Sequence, residues 1–399
     1  MTLTSERRLA TEAAEELVYG YLNRAARLDA LGHVDRADVD TAMRLGCRLP
    51  AGPFETLDGI GLGAAVRTLD GLYERTGHPA HDPAEALRRY AAEGRRTFPT
   101  AASTPDTGRD RAGVRPIARV GVLGSGTMAR GIAQVTAAAG IPSVLVARSA
   151  AKAVAATAAI GESLADAVRR GKNTKEGRAE ALDRIAVADT ITALSTCDLV
   201  VEAIVEDLPA KRAAFAELGQ LCRPDAVLAT TTSSLSVSAC AEAAGRPGDV
   251  LGMHFFNPAP VMRLVEVVRT EWTDGDVLAT AYALCARLGK TGVPCADTAG
   301  FIVNYLLFPY LNEAAKMLDR GEVDAEELDG AIQDEYGYPM GPFALMDAVG
   351  LDVSLAIQRR LHEAYGDPDL TPAASLERLV AAGHLGRKTG SGYLAGKRP

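Results

Sequence analysis

"RVGVLGSGTMARGIAQ", residues 119–134, sets a short apolar run before a glycine-rich turn and a helical pattern after it. Gly124, Gly126 and Ala129 form a GxGxxA pattern, with Thr127 and Met128 opening the helix. Gly124 permits the tight turn, and Gly126 lets a pyrophosphate approach the backbone. A small residue at Ala129 lets helix and strand pack closely, and the helix N-terminus then faces the phosphates. The pattern predicts dinucleotide binding. The next apolar run, "SVLVARSAAK", holds Ala147, Arg148 and Ser149 where a ribose-binding acid ordinarily stands. A carboxylate there repels a 2′-phosphate, whereas Arg148 and Ser149 can accept one. NADP(H) is therefore favoured, with NAD(H) as the alternative.

Further apolar runs follow at 143–146, 199–203, 227–230, 250–254 and 264–268, alternating with helical patterns such as 128–138 and 211–221. That rhythm indicates parallel βαβ units. Before residue 97 and after about Gly300 the pattern is helical. Residues 97–116, "TFPTAASTPDTGRDRAGVRP", read as a linker.

The helical parts are two copies of one module. "YLNRAA" at Tyr21 returns as "YLNEAA" at Tyr310, and "LPAGPFETLDGIGL" returns as "YPMGPFALMDAVGL". A constant step of 289 residues matches Asn23, Asp40, Gly52, Pro53, Phe54, Asp58, Gly61, Gly77, Pro79 and Gly94 to identical partners without a gap. Similar periodicity alone would not match rare glycines and prolines. The expected architecture is α/β: a Rossmann-type dinucleotide-binding domain flanked by two homologous all-helical domains. Its parts are helical domain 1–96, linker 97–116, Rossmann domain 117–298 and C-terminal helical domain 299–399.

"HFFNPAPVMRLVEVV", residues 254–268, places His254 and Glu266 on neighbouring apolar strands, where an unpaired charge is costly. Paired, the two are tolerated. The chain has six histidines, and of these His254 alone falls in the α/β region. Alcohol dehydrogenation needs a proton acceptor beside the carbon that loses hydride, and an imidazole suits this at neutral pH. Glu266 can hold its other ring nitrogen. "TTTSSLS" puts Ser233 at a strand's carboxyl edge, where such sheets bind ligands. "RRGKNTKEGR", residues 169–178, is a basic run that can meet phosphates.

The stretches "GSGTMARGIAQ", "DLVVEAIVEDLPAK", "TTSSLSV", "GMHFFNPAPVMRLVEVV", "GFIVNYLLFPYLNEA", "YPMGPFALMDAVGLD" and "LGRKTGSGYL" together resemble the L-3-hydroxyacyl-CoA dehydrogenases, including bacterial 3-hydroxybutyryl-CoA dehydrogenases. Residues 5–95 resemble that family's C-terminal helical domain alone. The resemblance implies that His254 is the catalytic histidine and Glu266 its acidic partner. It implies that Ser233 and Asn304 help hold the reacting oxygen and the histidine. By the same likeness Glu206, Lys211, Asn257 and Lys388 are cofactor contacts, and Ser163 and Arg170 touch the coenzyme A arm. Ala129, Ala147, Thr231 and Tyr305 depart from the family's usual residues. The resemblance also implies a helical dimer interface. With both copies in one chain, the expectation is a monomer with an internal pseudo-dimer, or else a homodimer.

The expected substrate is a 3-hydroxyacyl-CoA, with a carrier-protein-bound acyl group or a non-catalytic nucleotide-binding role as alternatives. A net charge of −8 gives no reason to expect nucleic acid. The six scattered cysteines show no metal spacing and read as reduced thiols of a cytoplasmic protein. No apolar run approaches the ~20 residues of a membrane span.

Overall fold

The structure is a computed structural model, and it describes residues 3–30, 32, 34–99 and 113–394. The described residues of Met1–Pro105 and Ile302–Pro399 cluster as one compact unit, and those of Asp106–Phe301 as another.

The first helical copy contains α1 (Leu3–Ala30), α2 (Arg36–Cys47), α3 (Pro53–Ile60), α4 (Leu62–Thr76) and α5 (Glu85–Ala92). The α/β unit follows, with β1 (Val120–Leu123), α6 (Thr127–Ala138), β2 (Ser143–Val146), α7 (Ala150–Arg169), α8 (Lys175–Asp183), β3 (Ile185–Ala188) and β4 (Leu199–Glu202). It continues through α9 (Leu208–Leu221), β5 (Val227–Thr230), α10 (Val237–Ala244), β6 (Val250–Phe255), β7 (Leu264–Arg269), α11 (Gly275–Arg287) and β8 (Thr291–Ala296). The second copy is α12 (Val303–Asp319), α13 (Ala325–Tyr336), α14 (Pro342–Val349), α15 (Leu351–Tyr365) and α16 (Ala374–Ala381).

The sheet order is β3-β2-β1-β4-β5-β6-β7-β8. β1 pairs with both β2 and β4 in parallel, so the order reverses at β1, and its carboxyl edge is the expected ligand crevice. The central strands are buried on both faces, which explains their unbroken Val/Leu runs. The sheet is mostly parallel, and the antiparallel pairing of β7 with β6 was not anticipated. The short "NPAPVMR" connection cannot make the crossover that a parallel pair needs. β3 and β8 were not anticipated either. Both are edge strands, one half-exposed and the other interrupted by Pro294, so their apolar signal is weak.

The duplication extends to the hydrogen bonds. α2–α5 and α13–α16 begin and end 289 residues apart. Asn23 donates to the carbonyls of Ala80 and Asp82 and accepts from Ala84 N at 2.7 Å. Asn312 likewise donates to Thr371 and accepts from Ala373 N at 2.8 Å. Buried Asp40 caps α3 through the amides of Phe54 and Glu55, and Asp329 caps α14 through those of Phe343 and Ala344. Burial pushes both of these carboxyls up to about 6.

The two copies pack in a self-complementary way. α1 lies against α12 and α13, while α12 lies against α1 and α2. Each helix thus meets the partner copy's equivalents, which is the pattern of a two-fold interface. α1 alone carries an N-terminal extension, since α12 begins at the counterpart of residue 14.

Both ends of the expected linker make contacts with the folded parts. Phe98 packs on Phe54 and Tyr90, and its amide donates to Asp58 at 2.8 Å. In the second copy Tyr393 packs on Phe343 and its amide donates to Asp347 at 2.9 Å. Phe98 therefore does the work of Tyr393, although the sequence after Gly94 shows no likeness to "LGRKTGSGYL". Arg115 is anchored in the α/β unit by Asp249 at 2.6 Å and Asp276 at 2.8 Å. Residues 100–112, the middle of the expected linker, lie outside the described residues.

Candidate active site

The strand register brings His254 and Glu266 together. They face each other directly across the β6–β7 pair, with His254 Nδ1 2.6 Å from Glu266 Oε2. Both are buried, the glutamate fully. An ionised carboxylate only accepts, so the ring donates from Nδ1 and keeps Nε2 as an acceptor. The imidazole is flanked by the rings of Phe256 at 4.6 Å and Phe301 at 5.6 Å, which restrict its orientation.

The glycine turn is built as the pattern requires. Gly124 adopts a φ of +134°, and a Cβ there would lie 2.3 Å from the Ala203 carbonyl oxygen, so only glycine fits. Gly126 caps α6 with extended backbone, and a Cβ there would meet nothing within 4 Å. That open cradle over a helix N-terminus suits the pyrophosphate of a dinucleotide. Thr127, Met128 and fully buried Ala129 form the first turn of α6.

Ala147 is buried at the end of β2, and the exposed pair Arg148 and Ser149 follows. Ser149 caps α7, accepting from Lys152 N at 3.3 Å. An exposed guanidinium beside a helix N-terminus is a cationic setting.

Glu206 accepts hydrogen bonds from the Thr232 hydroxyl at 2.5 Å and from Ser233 N at 3.0 Å. Ser233 is thereby held at the carboxyl end of β5. Lys211 is fully buried, with its ammonium turned onto Glu202. Sequence reading did not single out Glu202. Its one signal was an acid closing the otherwise apolar "DLVVE".

A cavity of about 760 Å³ runs between α6, α7 and the turn after β6. Thr127, Arg130, Ser163, Arg170, Lys172 and Asn257 line it. It unites the two expected coenzyme A contacts with Asn257, and it adds Arg130 and Lys172. Asn304 lies buried in the first turn of α12, in the helical unit. Lys388, in the same unit, pairs with Asp352 at 2.7 Å. No group of metal-binding side chains occurs among the described residues, and no described helix is long and apolar enough to cross a membrane.

Residues 119–298 match the 3-hydroxyacyl-CoA dehydrogenase NAD binding domain. Residues 13–103 and 300–396 each match the C-terminal domain of the same enzymes. A probable 3-hydroxybutyryl-CoA dehydrogenase of Deinococcus radiodurans is 40% identical over 275 residues, which is 69% of this chain and 99% of that protein. A 3-hydroxybutyryl-CoA dehydrogenase of Mycobacterium tuberculosis is 42% identical over 279 residues, 69% of this chain and 98% of the relative. The crystal structure of (S)-3-hydroxybutyryl-CoA dehydrogenase from Ralstonia eutropha superposes with a TM-score of 0.67 at 37% identity, covering 70% of this chain and 98% of that one. The glycine turn, the His–Glu pair and these likenesses agree: the chain belongs to the 3-hydroxyacyl-CoA dehydrogenase family, is an oxidoreductase with a nicotinamide dinucleotide as cofactor, and carries that family's C-terminal domain twice.

Proposed function

We propose that this protein interconverts (S)-3-hydroxyacyl-CoA and 3-ketoacyl-CoA, in the short-chain range of 3-hydroxybutyryl-CoA, with NADP(H) as the preferred cofactor. The observation that carries the reading is the buried 2.6 Å contact between His254 Nδ1 and Glu266. In the oxidative direction His254 Nε2 takes the proton of the 3-hydroxyl as the C3–O bond becomes a carbonyl. When bound, the nicotinamide supplies the hydride acceptor or donor. Glu266 stabilises the imidazolium that forms and keeps the ring oriented. In reduction the imidazolium returns its proton to the oxygen. Ser233 and Asn304 are the proposed donors to that oxygen, following the family likeness.

Glu206, Lys211, Asn257 and Lys388 belong to this reading as family-derived cofactor contacts. NADP(H) preference rests on the missing acid at Ala147 and on Arg148 and Ser149. The cationic groove with Ser163, Arg170 and Lys172 supports a phosphopantetheine-bearing thioester. Coenzyme A and a carrier-protein arm share that chemistry, and the relatives' names favour coenzyme A. The domain division at 96, 116 and 298, a monomer with an internal pseudo-dimer, and a cytoplasmic location complete the proposal.

The test is NADPH oxidation with acetoacetyl-CoA beside acetoacetyl carrier protein, in the wild type and in His254→Ala. Turnover of the coenzyme A ester that collapses in the variant is expected. Turnover untouched by the substitution would refute the assignment, and a tenfold preference for NADH would refute the cofactor choice.

A further inference from the structure

Lys290 lies half-buried between α11 and β8, and no carboxylate among the described residues pairs with it. Its ammonium donates instead to two backbone carbonyls, those of Ala259 and Met262, each at 2.6 Å. Burial pushes this ammonium below the ordinary lysine range. A half-buried cation without a counter-charge is costly, so the two carbonyls it holds matter.

Both carbonyls belong to the turn that joins β6 to β7. Val261 N and Met262 N close that turn by donating to the Pro258 carbonyl at 2.9 and 3.0 Å. On its other side the turn packs on α6, where a Cβ at Gly131 would lie 3.0 Å from Ala259 Cβ and 3.4 Å from Pro260 Cδ. Asn257 immediately precedes Pro258, and it lines the same cavity as Thr127 of the first turn of α6. The backbone that carries Lys290 is fixed in its turn. Its amide donates to the Cys285 carbonyl at 2.9 Å, and Thr291 N donates to the Arg263 carbonyl at 2.8 Å.

We infer that Lys290 is a positioning residue for the dinucleotide: by holding the carbonyls of Ala259 and Met262, it clamps against α6 the turn that presents Asn257. This rests on the proposed role of Asn257 as a cofactor contact. Without the ammonium, two half-buried carbonyls lose their donor and the turn is held from the α6 side alone. His254 and Glu266 depend on it less, because the β6–β7 and β7–β8 ladders fix their strands independently.

The experiment compares the wild type, Lys290→Met, Asn257→Ala and the double variant. It measures the Kd of the nicotinamide dinucleotide that the wild type binds more tightly, by fluorescence titration, with kcat for acetoacetyl-CoA reduction at saturating dinucleotide and thermal melting. Lys290→Met should raise the Kd about fivefold or more with kcat within about threefold. In the Asn257→Ala background the same substitution should change the Kd less than about twofold, because the side chain it positions is already gone. Lower melting with an unchanged Kd would make Lys290 a structural cap only. Losses that multiply in the double variant would mean that Lys290 acts on the dinucleotide without Asn257. An Asn257→Ala protein with the wild-type Kd would leave nothing to position. Each of these three results overturns the inference. Should Lys290→Met not fold, Lys290→Gln keeps one donor for the carbonyls; it must show the same Asn257-dependent rise in Kd, or the inference fails. Wild-type turnover and His254→Ala decide the proposed function separately from these ratios.

Discussion

Tyr21 and Tyr310 occupy the same place in the two helical copies, and their rings meet edge to face with centroids 6.1 Å apart. Equivalent residues touch each other only near a two-fold axis, so this contact marks the pseudo-symmetry axis of the helical unit. Both side chains are buried, and burial raises both phenols well above their ordinary range. Truncating either ring should therefore cost on the order of 3–5 kcal/mol. Tyr→Phe, which keeps the ring, should cost under about 1 kcal/mol. Denaturant melts of the four single variants check this, and equal losses for Phe and Ala would contradict it.

Removing residues 1–96 should expose the faces of α12 and α13 that α1 covers. The truncated chain is expected to form a dimer or to aggregate, as exposed apolar interfaces do. Light scattering after size exclusion reads this directly. A soluble, fully active monomer would show that the first copy is dispensable.

His78 of the first copy stands 3.6 Å from Glu313 of α12. The Glu313 carboxylate holds the imidazole above its ordinary value, against the opposing effect of burial. A raised folded value favours the protonated form in the native state. The stabilisation is therefore complete below the free-histidine value of about 6.5 and is lost as pH rises through the higher folded value. His78→Gln should abolish this component. The stability difference between wild type and variant should shrink between roughly pH 6 and pH 8, and a constant difference would exclude it.

Glu266→Gln replaces an obligate acceptor with a group that can donate to Nδ1 and drive the ring proton to Nε2. A loss of about 10²–10⁴-fold in kcat is expected, with acetoacetyl-CoA KM little changed. A loss confined to KM would place the pair outside the chemistry.

Arg148→Ala should raise the KM for NADPH about tenfold while leaving that for NADH unchanged. Gly124→Ala forces a Cβ toward the Ala203 oxygen at 2.3 Å and should abolish binding of both cofactors. Fluorescence titration with each nucleotide separates the two effects.

Much of this architecture was legible in residues alone. The Gly124–Ala129 turn, the βα alternation and the 289-residue step are local or repetitive signals, so they survive in one dimension. The placement of His254 and Glu266 on adjacent apolar runs suggested their pairing, because a buried charge needs a partner. The edge strands β3 and β8 escaped notice because their pairing on one side only leaves little apolar pattern. Glu202 escaped because one acid at the end of a strand looks like a surface residue until Lys211 and Glu206 are seen around it. Phe98 escaped because its match to Tyr393 lies in what it touches and not in its neighbours along the chain.

The sequence by itself determined the duplicated helical module, the dinucleotide turn and the choice of His254 and Glu266 as the proposed acid–base pair. Those depend on short-range periodicity, on glycine's backbone freedom and on residue chemistry. Only the tertiary structure decided that β7 turns antiparallel and sets Glu266 opposite His254 in register. It alone decided that Tyr21 and Tyr310 meet on an axis, and that buried Lys211 pairs with Glu202. The physical reason is the same in each case: strand register, burial and helix packing arise from contacts between residues far apart in the chain, and no local pattern encodes them.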